Sequence, residues 1–222
     1  MICRRLLAPA LLASTLGGPG ALSASVLDPE PELEVIAGSY CRNPSYFEPI
    51  HIQLKPLGDL LARGEGDYNS VNRGWAGDTP GGVVRLTGSS FAAFTVGQVI
   101  DMQRGWLYAV GRYQFIPRTL RFAVDSSSVS YSDKFDEETQ DRLMAALILY
   151  KRPIIFSYLQ GSHNNLGAAL RALAREWASV EYSYGRGYYD HVGGNRASIS
   201  RAEASQVLQK IKETWQEEGA LP

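Results

Sequence analysis

One carboxylate, Glu65, stands between Gly64 and Gly66 at the end of a run striped by Leu57, Leu60 and Leu61. That spacing predicts a short helix with one buried face, broken by the two glycines. A helix C-terminus carries partial negative charge and disfavours a second negative charge beside it. Glycines that tuck the side chain into a cleft add desolvation, which raises a carboxyl pKa further. A carboxyl that keeps its proton near neutral pH is what general-acid catalysis needs. The plain alternative is a solvated turn glutamate, and the stretch by itself favours it. His51, His163 and His191 are scattered without ligand spacing, so neither a metal site nor a cofactor is expected. Gly185-Arg186-Gly187 lacks the strand-before, helix-after context of a phosphate loop.

The elements that must position Glu65 are mostly helical. The 222 residues suit one domain plus a processed leader, or at most two small domains. A net charge of −1 gives no electrostatic footprint for nucleic acid. Residues 1–25 read as a signal peptide: Arg4 and Arg5, then an apolar core from Leu6 to Leu16, then small residues. This predicts export to the periplasm or the medium, with no integral membrane segment after cleavage. Cys3 leaves with the leader, and Cys41 then has no partner for an internal disulfide. Residues 26–48 read as an N-terminal arm or linker, with a short strand at Leu33 to Ile36, and residues 49–222 as the main domain.

Within that domain the glycine-rich stretch 73–90 predicts a hairpin or open loop with a strand at Val83 to Leu86. Thr95 and Gln98 form a capping box ahead of Val96, Val99 and Ile100. Pro117 suits the first turn of a new helix, with Tyr113 and Gln114 on the approach to it. Asp136 caps a further helix lined by Leu143, Ala146, Leu147 and Tyr150, which Pro153 stops. Residues 164–179 are amphipathic, 181–197 form a loop rich in tyrosine and glycine, and Ser200 with Glu203 caps the last helix. The expected fold class is α+β, mainly α, with a small β-hairpin region beside the Glu65 cleft.

Three blocks, ARGEGDYNSVN, AVGRYQFIPRTL and REWASVEYSYGRGYYDHVGGNRA, stand in this order. Together they resemble the phage lambda endolysin family and its bacterial relatives, lysozyme-fold enzymes of the lytic transglycosylase type. The likeness spans roughly residues 55 to 215 and implies a lysozyme-like catalytic domain acting on peptidoglycan glycan strands. In that family one glutamate protonates the oxygen of the MurNAc-β-1,4-GlcNAc bond. As a base it then helps the muramyl 6-hydroxyl close a 1,6-anhydro ring. By motif, Glu65 matches that glutamate, which reverses the balance against the turn reading.

A conventional glycosidase needs two carboxylates, ~5 Å apart for retention or ~6.5–9.5 Å for inversion. Asp67 and Asp78 are the nearest, and both are typical turn residues. A one-glutamate mechanism therefore asks less of the sequence, with a hydrolytic muramidase as the enzymatic alternative and a non-catalytic wall-binding protein as the other. Tyr113 and Gln114 match a position near the sugar in lytic transglycosylases generally; packing and backbone satisfaction compete evenly with that role. Asn69 and Ser70 either orient the muramyl acetamide or hold the turn, the second being favoured. Tyr184, Tyr188 and Tyr189, with Tyr182, suit one wall of a sugar groove, because aromatic faces stack on saccharide C–H faces. Exported enzymes of this kind serve wall remodelling or act as antibacterial toxins, and a toxin's producer needs an inhibitor or immunity protein.

Overall fold

Helix starts follow the caps written in the chain. In the computed structural model, which describes residues 47–74, 77–192 and 194–217, α1 spans Phe47–Gln53 and α2 spans Lys55–Glu65. The leader, the strand at 33–36 and Cys41 lie outside the described residues, while Phe47 and Glu48 of the expected arm already open α1. Pro56 sits in the first turn of α2, and Leu57, Leu60 and Leu61 are its buried face. Thr95 accepts from the Gln98 amide while Gln98 accepts from Thr95, the reciprocal cap that opens α4, Val96–Gly105. Two further helices follow, α5 at Pro117–Asp125 and α6 at Glu137–Ala146, the latter capped by the Asp136 carboxylate on the Thr139 amide. Near the C-terminus, α8 is Leu166–Glu176 and α9 is Arg201–Glu217, opened by the Ser200–Glu203 box.

One expectation fails and another is extended. Residues Gly82–Thr87 form a short helix, α3, where a strand at Val83 to Leu86 was expected. Only Val83 of that run reaches the core; Val84 and Leu86 are exposed, so the alternating pattern never finds two faces to serve. Gly82 has φ 56°, and a Cβ there would stand 2.0 Å from the Asn69 carbonyl oxygen. That close approach fixes the helix start against the turn that follows α2. Pro153 does not merely stop a helix. After a one-turn π segment at Leu147–Lys151 it becomes the first residue of α7, Pro153–Leu159. A proline that cannot continue one helix is pre-shaped to begin the next.

The sheets are small and antiparallel. β1, Val71–Asn72, pairs with β2, Ala109–Val110, in the register Val71↔Val110 and Asn72↔Ala109. β3, Glu181–Ser183, turns into β4, Arg186–Gly187, as a hairpin. The strand pairing that follows the Glu65 turn thus joins distant residues, β1 with β2. Glu65 and β1 are joined by the 66–70 turn, whose Ser70 carbonyl accepts from the Gly111 amide at 2.8 Å. The architecture is mainly helical with small antiparallel sheets.

The core runs from the leucines of α2 to a chain of aromatic rings. Tyr113, Phe115, Phe135 and Phe91 contact edge to face at centroid distances of 5.9, 6.3 and 5.3 Å. Such contacts fix ring orientation as well as burying area. No helix among the described residues is long and apolar enough to cross a membrane.

Candidate active site

Glu65 is the last residue of α2, and the chain turns away at Gly66, whose φ of 150° favours glycine. A Cβ at Gly66 would lie 2.5 Å from the Ser70 hydroxyl oxygen, so the turn closes tightly beneath the carboxyl. On its other side stands Ser179, 114 residues later in the chain, in the turn after α8. The Ser179 amide donates to Glu65 Oε1 at 3.1 Å. The Ser179 hydroxyl, buried and outside strict hydrogen-bonding geometry with any described group, lies against Gly64. Gly64 permits this approach, since a Cβ there would come within 2.4 Å of Ser179 Cβ.

Burial lifts the Glu65 pKa above the ordinary carboxylate value, and the negative charge of Asp78 adds to the rise; the Ser179 hydroxyl and amide oppose it. No basic side chain among the described residues forms an ion pair with Glu65. The group is therefore an acid held by one amide, inclined to keep its proton.

Asp67 has no freedom to act with Glu65. Its carboxylate accepts from the Asn69 amide at 2.8 Å and from the Ser70 hydroxyl at 3.1 Å, while its own amide donates to Ser70 Oγ at 2.9 Å. Ser70 is thereby committed to the turn. Asn69 is committed as well: Oδ1 accepts from the Phe91 amide at 2.9 Å and its carbonyl from the Val83 amide at 2.8 Å. Both residues take the favoured role of holding backbone, because a turn this tight uses the short polar side chains it contains. Asp78, bridged to Asn72 and accepting from its Nδ2 at 2.8 Å, is the second carboxylate whose charge reaches Glu65.

Gln114 and Tyr113 separate sharply. Gln114 has φ 47°, a left-handed conformation uncommon for glutamine, and its Nε2 donates to the Gly111 carbonyl at 2.9 Å. That nitrogen lies 3.9 Å from where a Gly66 Cβ would be, so Gln114 borders the Glu65 turn. Tyr113 is 3% exposed and donates to Asp141 Oδ1 at 2.5 Å. Burial, then the Asp141 charge, pushes its phenol far above the ordinary value, which keeps it a donor. Of the two roles open to Tyr113, the structure shows the packed one, within a buried network. Tyr68 donates to the same carboxylate at 3.1 Å and accepts from Arg112 at 2.6 Å, and Arg112 also reaches Asp59 on α2. Gln140 completes the brace, donating to the Tyr68 carbonyl and accepting from the Arg112 amide. These residues lock the 66–70 turn to the 111–115 loop. Each lies far from its partners in sequence, so only the fold reveals them.

The tyrosines of the 181–197 loop also divide. Tyr189 donates to the Arg175 carbonyl at 2.8 Å and anchors the loop. Tyr188 meets Tyr182 and Tyr189 edge to face at centroid distances of 5.2 and 4.9 Å, with the Arg175 guanidinium 5.3 Å above its ring. Tyr184 is 98% exposed. A pocket opens on the hairpin, lined by Tyr182, Ser183, Tyr184, Arg186, Gly187 and Tyr188. The hairpin adjoins the turn that carries Ser179: a Cβ on Gly187 would meet the Ala178 carbonyl oxygen at 3.2 Å, one residue before Ser179.

Among the described residues no group of three or more His, Cys, Asp or Glu gathers to hold a metal. Set against known protein families, curated proteins and solved structures, the chain matches none of them.

Proposed function

We propose that this chain is a lysozyme-like enzyme that cleaves the MurNAc-β-1,4-GlcNAc bond of peptidoglycan, with Glu65 as general acid and base. The observation that carries the reading is the Glu65 carboxyl: desolvated, without a cationic partner among the described residues, and raised in pKa. Its Oε1 is occupied by the Ser179 amide, which leaves Oε2 to carry and deliver the proton. Proton transfer to the glycosidic oxygen breaks the bond from the muramyl anomeric carbon and leaves Glu65 as a carboxylate. The Ser179 amide stabilises that charge. The carboxylate then takes the proton of the muramyl 6-hydroxyl as that oxygen bonds to the anomeric carbon, closing the 1,6-anhydro ring. Glu65 ends protonated, ready for the next bond. The restraint of Asp67 within its own turn supports a mechanism with one catalytic carboxyl.

A hydrolytic muramidase is the second reading, and Asp78 favours it, as a carboxylate whose charge is felt at Glu65. Mass spectrometry of released muropeptides decides between the two, because the anhydro product is lighter by one water. Glu65→Gln should reduce release about a thousandfold, the range of a lost general acid. Wild-type rates from that variant would remove the mechanism. Export to the periplasm or medium, where the substrate lies, belongs to the same proposal.

A further inference from the structure

The hairpin pocket holds features that stacking on a neutral sugar does not use. Ser183 pairs with Arg186 across a two-residue turn made of Tyr184 at φ 51° and Gly185 at φ 74°. Two consecutive positive φ values form the turn that suits a tight hairpin, and asparagine or glycine ordinarily fills its first position. A tyrosine there is strained, and at 98% exposure its ring gains no packing in return. The turn is nevertheless held firmly. Glu181 accepts from the Gly185 amide at 2.7 Å with one oxygen and from the Arg201 amide at 2.9 Å with the other. In the pocket wall, Tyr182 and Tyr188 meet edge to face beneath Arg175. A rigid wall therefore presents one ring and one cation. Arg186 is exposed, lines the pocket, and has no hydrogen-bond or ion-pair partner among the described residues.

Backbone strain held in place, an unburied ring and an unpaired guanidinium make a site for a ligand with both a saccharide or apolar face and a negative charge. In peptidoglycan the muramyl lactyl carboxyl is tied up as an amide to its peptide, and that peptide ends in carboxylates. A strand stripped by an amidase instead bears the free lactyl carboxylate on the sugar itself, away from any peptide chain that Tyr184 could cover. Resting on the peptidoglycan reading above, we propose that the 181–188 hairpin recognises the acidic peptide attached to the glycan, with Arg186 binding a carboxylate and Tyr184 covering the adjoining chain. The enzyme then prefers strands that still bear peptides over strands stripped of them. Gly187 packs against the turn that carries Ser179, so a peptide seated here lies on the side of the site built by Ser179.

The test measures binding and cleavage on two substrates, intact glycan strands with peptides and the same strands stripped by an amidase. Titration calorimetry uses the full chain carrying Glu65→Gln, and cleavage uses the otherwise wild-type chain. Arg186→Ala should weaken binding of peptide-bearing strands about fivefold, the scale of an exposed charge-assisted contact, and leave stripped strands unchanged. Arg186→Lys should recover part of the loss. Tyr184→Ala should weaken the same substrate further, and the Arg186 effect should fade in high salt. Because both side chains are exposed, folding is expected to survive, and circular dichroism verifies it. Equal behaviour of the two substrates, or equal losses on both in the Arg186 variant, overturns the peptide assignment while leaving catalysis by Glu65 standing. Absence of cleavage and binding on either substrate overturns both.

Discussion

Two helices of the molecule end alike and behave differently. α2 and α8 each have 11 residues and each closes on a glutamate withdrawn from water, Glu65 and Glu176. The C-terminal carbonyls oppose both negative charges equally. At Glu176 the fold supplies cations: Lys151 Nζ at 2.6 Å from one oxygen and Arg152 Nε at 2.9 Å from the other, around a side chain 3% exposed. At Glu65 it supplies the Ser179 amide and no cation among the described residues, with Asp78 adding charge of the wrong sign. Glu176 serves as a clasp between the π segment and α8. Glu65 is left as an acid. What separates the two carboxylates is therefore the partner set, which no local motif encodes.

The sharpest way to break the comparison is to neutralise each glutamate in turn. Glu176→Gln strands Lys151 and Arg152, and loss of one member of a buried pair costs about 3 kcal/mol, at the low end because both cations reach solvent. Glu65→Gln strands no cation, so urea denaturation at neutral pH should show it as stable as the parent or more so. The pH dependence carries the sign. Folded Glu65 holds its proton more tightly than the unfolded chain does, so its contribution is fully present below the ordinary glutamate value of 4.5. That contribution is lost as pH rises through the raised folded value. The stability advantage of Glu65→Gln should therefore open above about pH 4.5 and widen to a plateau. A flat difference across that range would mean the Glu65 carboxyl is solvated.

The helices can also be compared at a glycine. Alanine for a helical glycine gains up to about 1 kcal/mol from backbone entropy. At Gly64 the new methyl meets Ser179 Cβ at 2.4 Å and Ser198 Oγ at 2.7 Å, and neither is the tip of a flexible chain. Overpacking, about 1–3 kcal/mol, wins there. Gly64→Ala should lose about 1 kcal/mol net and also displace the Ser179 amide from Glu65, lowering activity. At Gly167 of α8 the nearest atoms are Asn165 Oδ1 at 3.3 Å and the Arg171 guanidinium at 3.5 Å. Gly167→Ala should stay within about 0.5 kcal/mol of neutral. Chemical denaturation of both variants reads the difference.

Local rules made the helices legible. The capping pairs Thr95–Gln98 and Ser200–Glu203, the Asp136 cap and Pro117 each lie within a few residues of what they organise, so spacing alone located them. Gly82–Thr87 was misread because its geometry is imposed by the Asn69 carbonyl, 13 residues earlier in number but adjacent in space. The site divides along the same line. The glycines beside Glu65 marked the end of α2, where the residue stands. Ser179 had no such mark, since nothing in WASV announces an amide aimed at residue 65. Tyr113 was legible as either ring or wall, and Asp141 on α6 decided for the core by accepting its hydroxyl. At Asn69 and Ser70 the favoured turn-holding role is the one the hydrogen bonds show; sequence tells which groups can hydrogen-bond but not which are already engaged.

The smallest effect tests the weakest influence on Glu65. Asp78 is exposed, bound to Asn72 Nδ2 at 2.8 Å, and the last and least of the causes that set the Glu65 pKa. Asp78→Asn keeps the acceptor oxygen for Asn72 and removes the charge. If Asp78 acts only through its field, the Glu65 pKa falls, and the alkaline limb of the pH profile, where the acid has lost its proton, moves to lower pH. The maximal rate should then hold, and the shift should shrink as salt is raised from 0.01 M, because an exposed charge is screened over about 10 Å at 0.1 M. If Asp78 instead activates water, the maximal rate falls about a hundredfold at every pH and salt concentration. Rate profiles of muropeptide release separate a displaced curve from a lowered one, and with it a glutamate working alone from a carboxylate pair.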